Sequence, residues 1–185
     1  MNLPAVEISP KAARRLRAGH VWVFRQEIRR RHGARTGDIV RVQTRHGSGG
    51  SNHLGVAFYN PASLIALRLI TREQRAPDRA WWCDMLERAL RWRQRRSSHG
   101  NAARLVHAEA DGIPGLVVDR YDDVAVVQTL CAGTDRLRDL WVELLVELLA
   151  PRAVVERNDS STRKLEGLAE RTGVLAGHLD GPVEI

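Results

Sequence analysis

Cysteine is nearly absent: Cys83 and Cys131 are the only two in 185 residues. That is too few for a disulfide framework or a zinc site built from four thiolates. No stretch approaches the ~18 consecutive apolar residues of a membrane-spanning helix. The amino terminus has no apolar run behind a basic one, so no secretory signal is expected. A cytoplasmic chain with reduced thiols and no membrane partner follows as the expectation. Lysine is almost missing too, with Lys11 and Lys164 beside 27 arginines. Arginine forks suit phosphate and stacked bases, although GC-rich codon bias accounts for the ratio equally well. The glycines at 47–50 lead into no helix, so they read as a hairpin loop rather than a phosphate cradle.

What is present is an ordinary globular balance, 43% hydrophobic and 28% charged, with room for one compact domain or two small ones. The net charge of +7 is split: residues 1–110 carry a balance of +13 and residues 111–185 one of −6. A basic half joined to an acidic half suggests a polyanion-binding module attached to something that does not bind polyanions. Ser9-Pro10 is a helix start for residues 11–18, with Gly19 as its stop. Short apolar or alternating stretches at 6–8, 21–24, 38–44, 54–59 and 64–71 predict strands, the one at 21–24 buried. With one small helix they point to a compact barrel. Asp78 caps a predicted helix running to about Ser98, with Trp81, Trp82, Met85, Leu86, Ala89, Leu90 and Trp92 on one stripe. Its Arg88, Arg91, Arg93, Arg95 and Arg96 give it a basic face. Strands at 104–110, 116–121, 124–130, 153–157 and 174–176, with a helix at 135–149, complete an α+β unit. The predicted organisation is therefore α+β: a barrel at 1–75, a connector helix at 76–100 and a second unit at 101–185.

The candidate binding residues lie in the basic half. His20, Trp22, Tyr59 and Asn60 beside Arg14, Arg15, Arg17, Arg25, Arg29, Arg30 and Arg31 supply what base stacking and phosphate neutralisation require. Trp22 and Phe58 have core positions as their alternative, and the arginines a merely solvated face. His107, Glu109 and Asp111 alternate as though on one strand face, but no further ligand of fixed type accompanies them, and a structural role is expected. Asp159 or Ser160 is expected to cap a helix. Cys83 and Cys131 have no activating base or cation beside them and read as packed thiols.

Six segments in order resemble the amino-terminal half of the class I SAM-dependent large-subunit rRNA (cytosine-C5) methyltransferases. They are Gly19-His20-Val21-Trp22-Val23-Phe24, Thr36-Gly37-Asp38-Ile39-Val40, the run from Gly55 through Ser63, the run from Arg104 through Tyr121, Glu156-Arg157-Asn158-Asp159-Ser160, and Glu166-Gly167-Leu168. The resemblance implies a PUA-like RNA-binding barrel, a central α+β domain and a carboxy-terminal Rossmann-like methyltransferase domain. No strand–Gly-x-Gly–helix element follows Gly100, and residues 182–185 resemble the point where the family chain enters its SAM-binding domain. SAM and the family's nucleophilic cysteine belong to that domain, which is expected to be absent here. This chain alone is expected neither to bind SAM nor to methylate RNA, so it holds no cofactor. Its implied partners are RNA, ribosomal by resemblance, and a methyltransferase domain or a second copy meeting an apolar patch at Val174, Leu175 and Val183. The competing reading is an autonomous RNA-binding protein with no enzymatic activity.

Overall fold

The computed structural model describes residues 3–46, 50–95 and 100–181. The first sheet is built from β1 (Ala5–Ile8), β2 (Trp22–Phe24), β3 (Ile28–Arg30), β4 (Ile39–His46), β5 (Gly50–Tyr59) and β6 (Ile65–Thr71), in the order β2-β6-β5-β4-β1-β3. Only β1 and β4 pair in parallel. A single turn of 3-10 helix, Arg25–Glu27, links β2 to β3, which curls the two sheet edges toward each other. Between β1 and β2 lies α1 (Pro10–Arg17), started by Ser9, whose Oγ accepts from Ala12 N, and by Pro10 at its first turn. Its Ala12, Ala13 and Leu16 close a core with Val6, Ile8, Val23, Val40, Val42 and Leu67.

Asp78 caps α2 (Arg79–Gln94) through Trp81 N. The second sheet follows: β7 (Ala102–His107), β8 (Leu116–Tyr121), β9 (Val124–Thr129), β10 (Ala153–Asn158) and β11 (Arg171–Gly177), ordered β11-β10-β9-β8-β7. β9 and β10 are parallel, and their crossover carries α3 (Ala132–Arg136) and α4 (Arg138–Leu149). The sequence pattern predicts one helix at 135–149, whereas the chain turns at Leu137 (φ −98°, ψ 16°) and begins helical structure earlier. The short α5 (Ser161–Leu165) is capped by Ser160, as one of the two expected candidates.

α2 does not stand apart from either sheet. Phe58 of β5 stacks on Trp82 at 5.8 Å, and Trp82 meets Trp141 of α4 edge-on at 5.0 Å. Around these rings Val56 and Ile70 from the first sheet join Leu105, Val106, Val118 and Leu144 in one core. The contact is close enough to demand glycine. A Cβ on Gly133 of α3 would sit 2.0 Å from the Phe58 ring. The apolar stripe of α2 ends sooner than the spacing predicts, because Trp92 is 49% exposed. β5 also begins before its predicted start, so Gly50–Asn52 belong to a strand. Residues 47–49 of the expected hairpin loop, Arg96, Ser98 and Val183 lie outside the described residues.

Candidate nucleic-acid interface

The predicted RNA-facing residues differ widely in exposure once folded. Arg14, Arg17 and His20 are exposed on and just after α1, and among the described residues the side chains of Arg14 and Arg17 enter no ion pair. Arg29, Arg30 and Arg31 are exposed along and beside β3, with Arg30 Nε no nearer than 4.0 Å to Glu7. Arg25, exposed on the linking turn, donates to the Ala62 carbonyl at 3.2 Å. Arg15 is half-buried and committed to the fold. Its guanidinium forks onto Glu27 at 2.9–3.0 Å, donates to Trp22 O and lies 5.3 Å over the Phe24 ring.

Tyr59 and Asn60 are corrections to the sequence reading, with 2% and 4% exposure. At the end of β5 Tyr59 packs into the core of the first sheet and Asn60 lies against Glu166, so neither presents a ring or amide to solvent. Burial pushes the Tyr59 phenol up, opposed by the Arg31 guanidinium beside it. Asn60 Nδ2 donates to both the backbone and the carboxylate of Glu166, each at 2.9 Å. Phe58 takes the core alternative. Trp22 does not: it is 41% exposed, against the buried strand expected at 21–24.

The exposed indole of Trp22 is held from below. Its Nε1 donates to Glu109 Oε1 at 2.9 Å, and the Arg68 guanidinium lies 5.7 Å from its ring centroid. Arg68 in turn bridges Glu109 at 2.9 Å and Glu166 at 3.1 Å. Glu166, only 3% exposed, also accepts Ser63 Oγ at 2.7 Å and Ala132 N at 3.3 Å. A carboxylate from the second sheet's side thus holds Arg68 beneath an exposed indole on the first. Sequence reasoning missed Arg68 and Glu166, whose partners are 34 to 106 residues away. The sequence pattern groups Glu109 with His107 and Asp111, but the three do not share a strand face. β7 ends at His107, and Ala108 (φ 47°) opens a 3-10 turn, Ala108–Asp111. Asp111 receives His107 N and the Arg93 fork. Among the described residues no group of three or more His, Cys, Asp or Glu side chains is placed to hold a metal.

Both cysteines behave as packed thiols. Cys131 is 1% exposed, next to Pro114 O and Thr134 Oγ1, and burial pushes its thiol up. Burial and the neighbouring Glu87 and Glu147 carboxylates raise Cys83 likewise. No helix among the described residues is long and apolar enough to cross a membrane.

The curled sheet and its small capping helix define a PUA-like domain, and residues 6–72 match that domain family. Across nearly its whole length the chain is homologous to proteins named ribosomal RNA large subunit methyltransferase I. It is 39% identical to the one from Alteromonas mediterranea over 176 residues, covering 93% of this chain and 43% of that protein. It is 35% identical to a Vibrio cholerae counterpart over 179 residues, covering 95% and 44%. The chain therefore spans less than half the length of these curated relatives. A solved structure from Streptococcus mutans, described as a SAM-dependent methyltransferase, aligns with a TM-score of 0.76 at 14% identity, covering 98% of this chain and 44% of that one. A second, described as a methyltransferase complexed with SAH, aligns with a TM-score of 0.75 at 15% identity, covering 97% and 44%. At such identities the likeness concerns the fold.

Proposed function

We propose that this chain is the RNA-holding portion of a large-subunit rRNA methyltransferase. On this reading it positions ribosomal RNA in the cytoplasm for methyl transfer from SAM to cytosine C5, performed by a domain outside this chain. The first 75 residues grip RNA, and residues 101–185 support them and dock the methyltransferase domain or a second copy. The observation that carries the reading is Trp22, a half-exposed indole locked by Glu109 and Arg68 in a domain that also exposes Arg14, Arg17, Arg25, Arg29, Arg30 and Arg31. A fixed ring costs little further entropy when a base stacks on it, and the guanidinium forks neutralise the flanking phosphates.

Fluorescence anisotropy with a labelled large-subunit rRNA fragment tests this across a salt series. Affinity is expected to fall with a log–log slope of roughly −0.7 to −0.9 per phosphate contact. Reversing Arg29, Arg30 and Arg31 to Glu should flatten that slope and weaken binding to different sequences by similar factors. A salt-insensitive affinity, or an unchanged one after the triple reversal, refutes the reading.

A further inference from the structure

A second cationic, aromatic surface lies away from the PUA-like fold, on α2. Arg88, Arg91, Trp92 and Arg95 fall at i, i+3, i+4 and i+7, one face of a helix. With Ala89 as floor and the Ala110-Asp111 turn as opposite wall, they line a cleft of about 370 Å³. That is within the usual size of ligand clefts. The turn approaches the helix closely because Gly112 (φ 75°) has no side chain: a Cβ there would meet Met85 Cε at 2.7 Å and Arg88 Nη2 at 3.4 Å.

The charge of the cleft is not self-cancelling. Asp111, its one carboxylate among the described residues, is held by the Arg93 fork at 2.6–2.9 Å and by the His107 amide. Arg91 is paired with Glu87 at 2.7 Å. Arg88 and Arg95 have no ion-pair partner among the described residues and are exposed beside the half-exposed indole of Trp92. Two uncompensated forks flanking an aromatic face suit a base with a phosphate on either side.

We propose that this cleft is a second RNA contact, taking one unpaired nucleotide of a single strand, its base on Trp92 and its phosphates on Arg88 and Arg95. The proposal rests on RNA being the partner of the chain. It extends the bound strand beyond the PUA-like fold onto α2, whose cleft lies almost wholly within the basic residues 1–110.

The test uses the full chain and a labelled oligouridylate, with Trp92→Ala, Trp92→Phe and Arg88→Ala/Arg95→Ala measured over a salt series. Circular dichroism confirms folding, which these exposed positions should leave intact. Trp92→Ala is expected to weaken binding roughly 5- to 150-fold, the range of one base–aromatic stack, and Trp92→Phe to retain most of it. The double arginine variant should make the log–log salt slope shallower by about 1.4, two single-strand phosphate contacts. Unchanged affinity and slope in all three variants overturn the proposal. So does a labelled poly-glutamate peptide that loses binding in the arginine variant while oligouridylate does not, which would make the cleft a protein-docking site. Trp22→Ala run in parallel separates the two readings. Loss there with no effect at Trp92 refutes this cleft alone, whereas a wild-type chain that binds no RNA removes both.

Discussion

Replacing Glu166 by Gln changes no volume and removes one charge, yet it should loosen the joint between the two sheets. The two carboxylate oxygens serve different donors: Oε1 accepts from Ser63 Oγ and Arg68 Nη2, and Oε2 from Asn60 Nδ2 and Ala132 N. A glutamine has one acceptor oxygen, so whichever way it turns, its NH2 group faces two donors. Two buried donors then lose their acceptor, at about 1–3 kcal/mol each before relaxation. The attraction holding the half-buried Arg68 falls at the same time, with Glu109 as its remaining anion. Arg68 has its pKa raised because the charges around it outweigh the opposing effect of burial. A loss of about 3 kcal/mol is expected, which for a chain of this size lowers Tm by roughly 6–12 °C. Urea and thermal unfolding followed by tryptophan fluorescence measure it, alongside Arg68→Met and the double variant. Residues in one network should couple by at least about 0.5 kcal/mol. A cost below about 1 kcal/mol, or strict additivity with Arg68→Met, would falsify the view that Glu166 organises the joint.

Gly133→Ala should cost about 1–3 kcal/mol by overpacking, since its methyl meets the Phe58 ring at 2.0 Å. Phe58→Leu in the same chain should recover part of the lost Tm, and no recovery would count against steric origin. Glu7 has its carboxyl held below the ordinary value of 4.5 by the His32 hydrogen bond, with Arg45 and Arg30 adding to this against burial. Its folded pKa is depressed, so its stabilisation is present above that ordinary value and is lost as pH falls through the folded one. Glu7→Gln should therefore flatten the acid limb of a stability–pH curve, and an unchanged limb would remove Glu7 from the explanation.

Local chemistry settled the elements whose signals are local. Ser9 and Asp78 start helices where their side chains can cap a backbone amide, and the alternating stretch at 38–44 became β4 because period-two burial suits only a strand. Six short motifs also sufficed to point to a PUA-like fold. Tertiary structure alone decided which aromatics face water. Trp22 and Phe58 carry the same local signal, yet Phe58 meets Trp82 and Gly133 while Trp22 lies over Arg68 at an exposed edge. The same holds for Tyr59, buried in the core of the first sheet, and for Asn60, covered by Glu166. No residue near them in the chain signals that Glu166 will arrive there. Periodicity reports how a segment sits on its own face. What covers that face is set by chain returning from about a hundred residues away, and only the folded molecule brings it there.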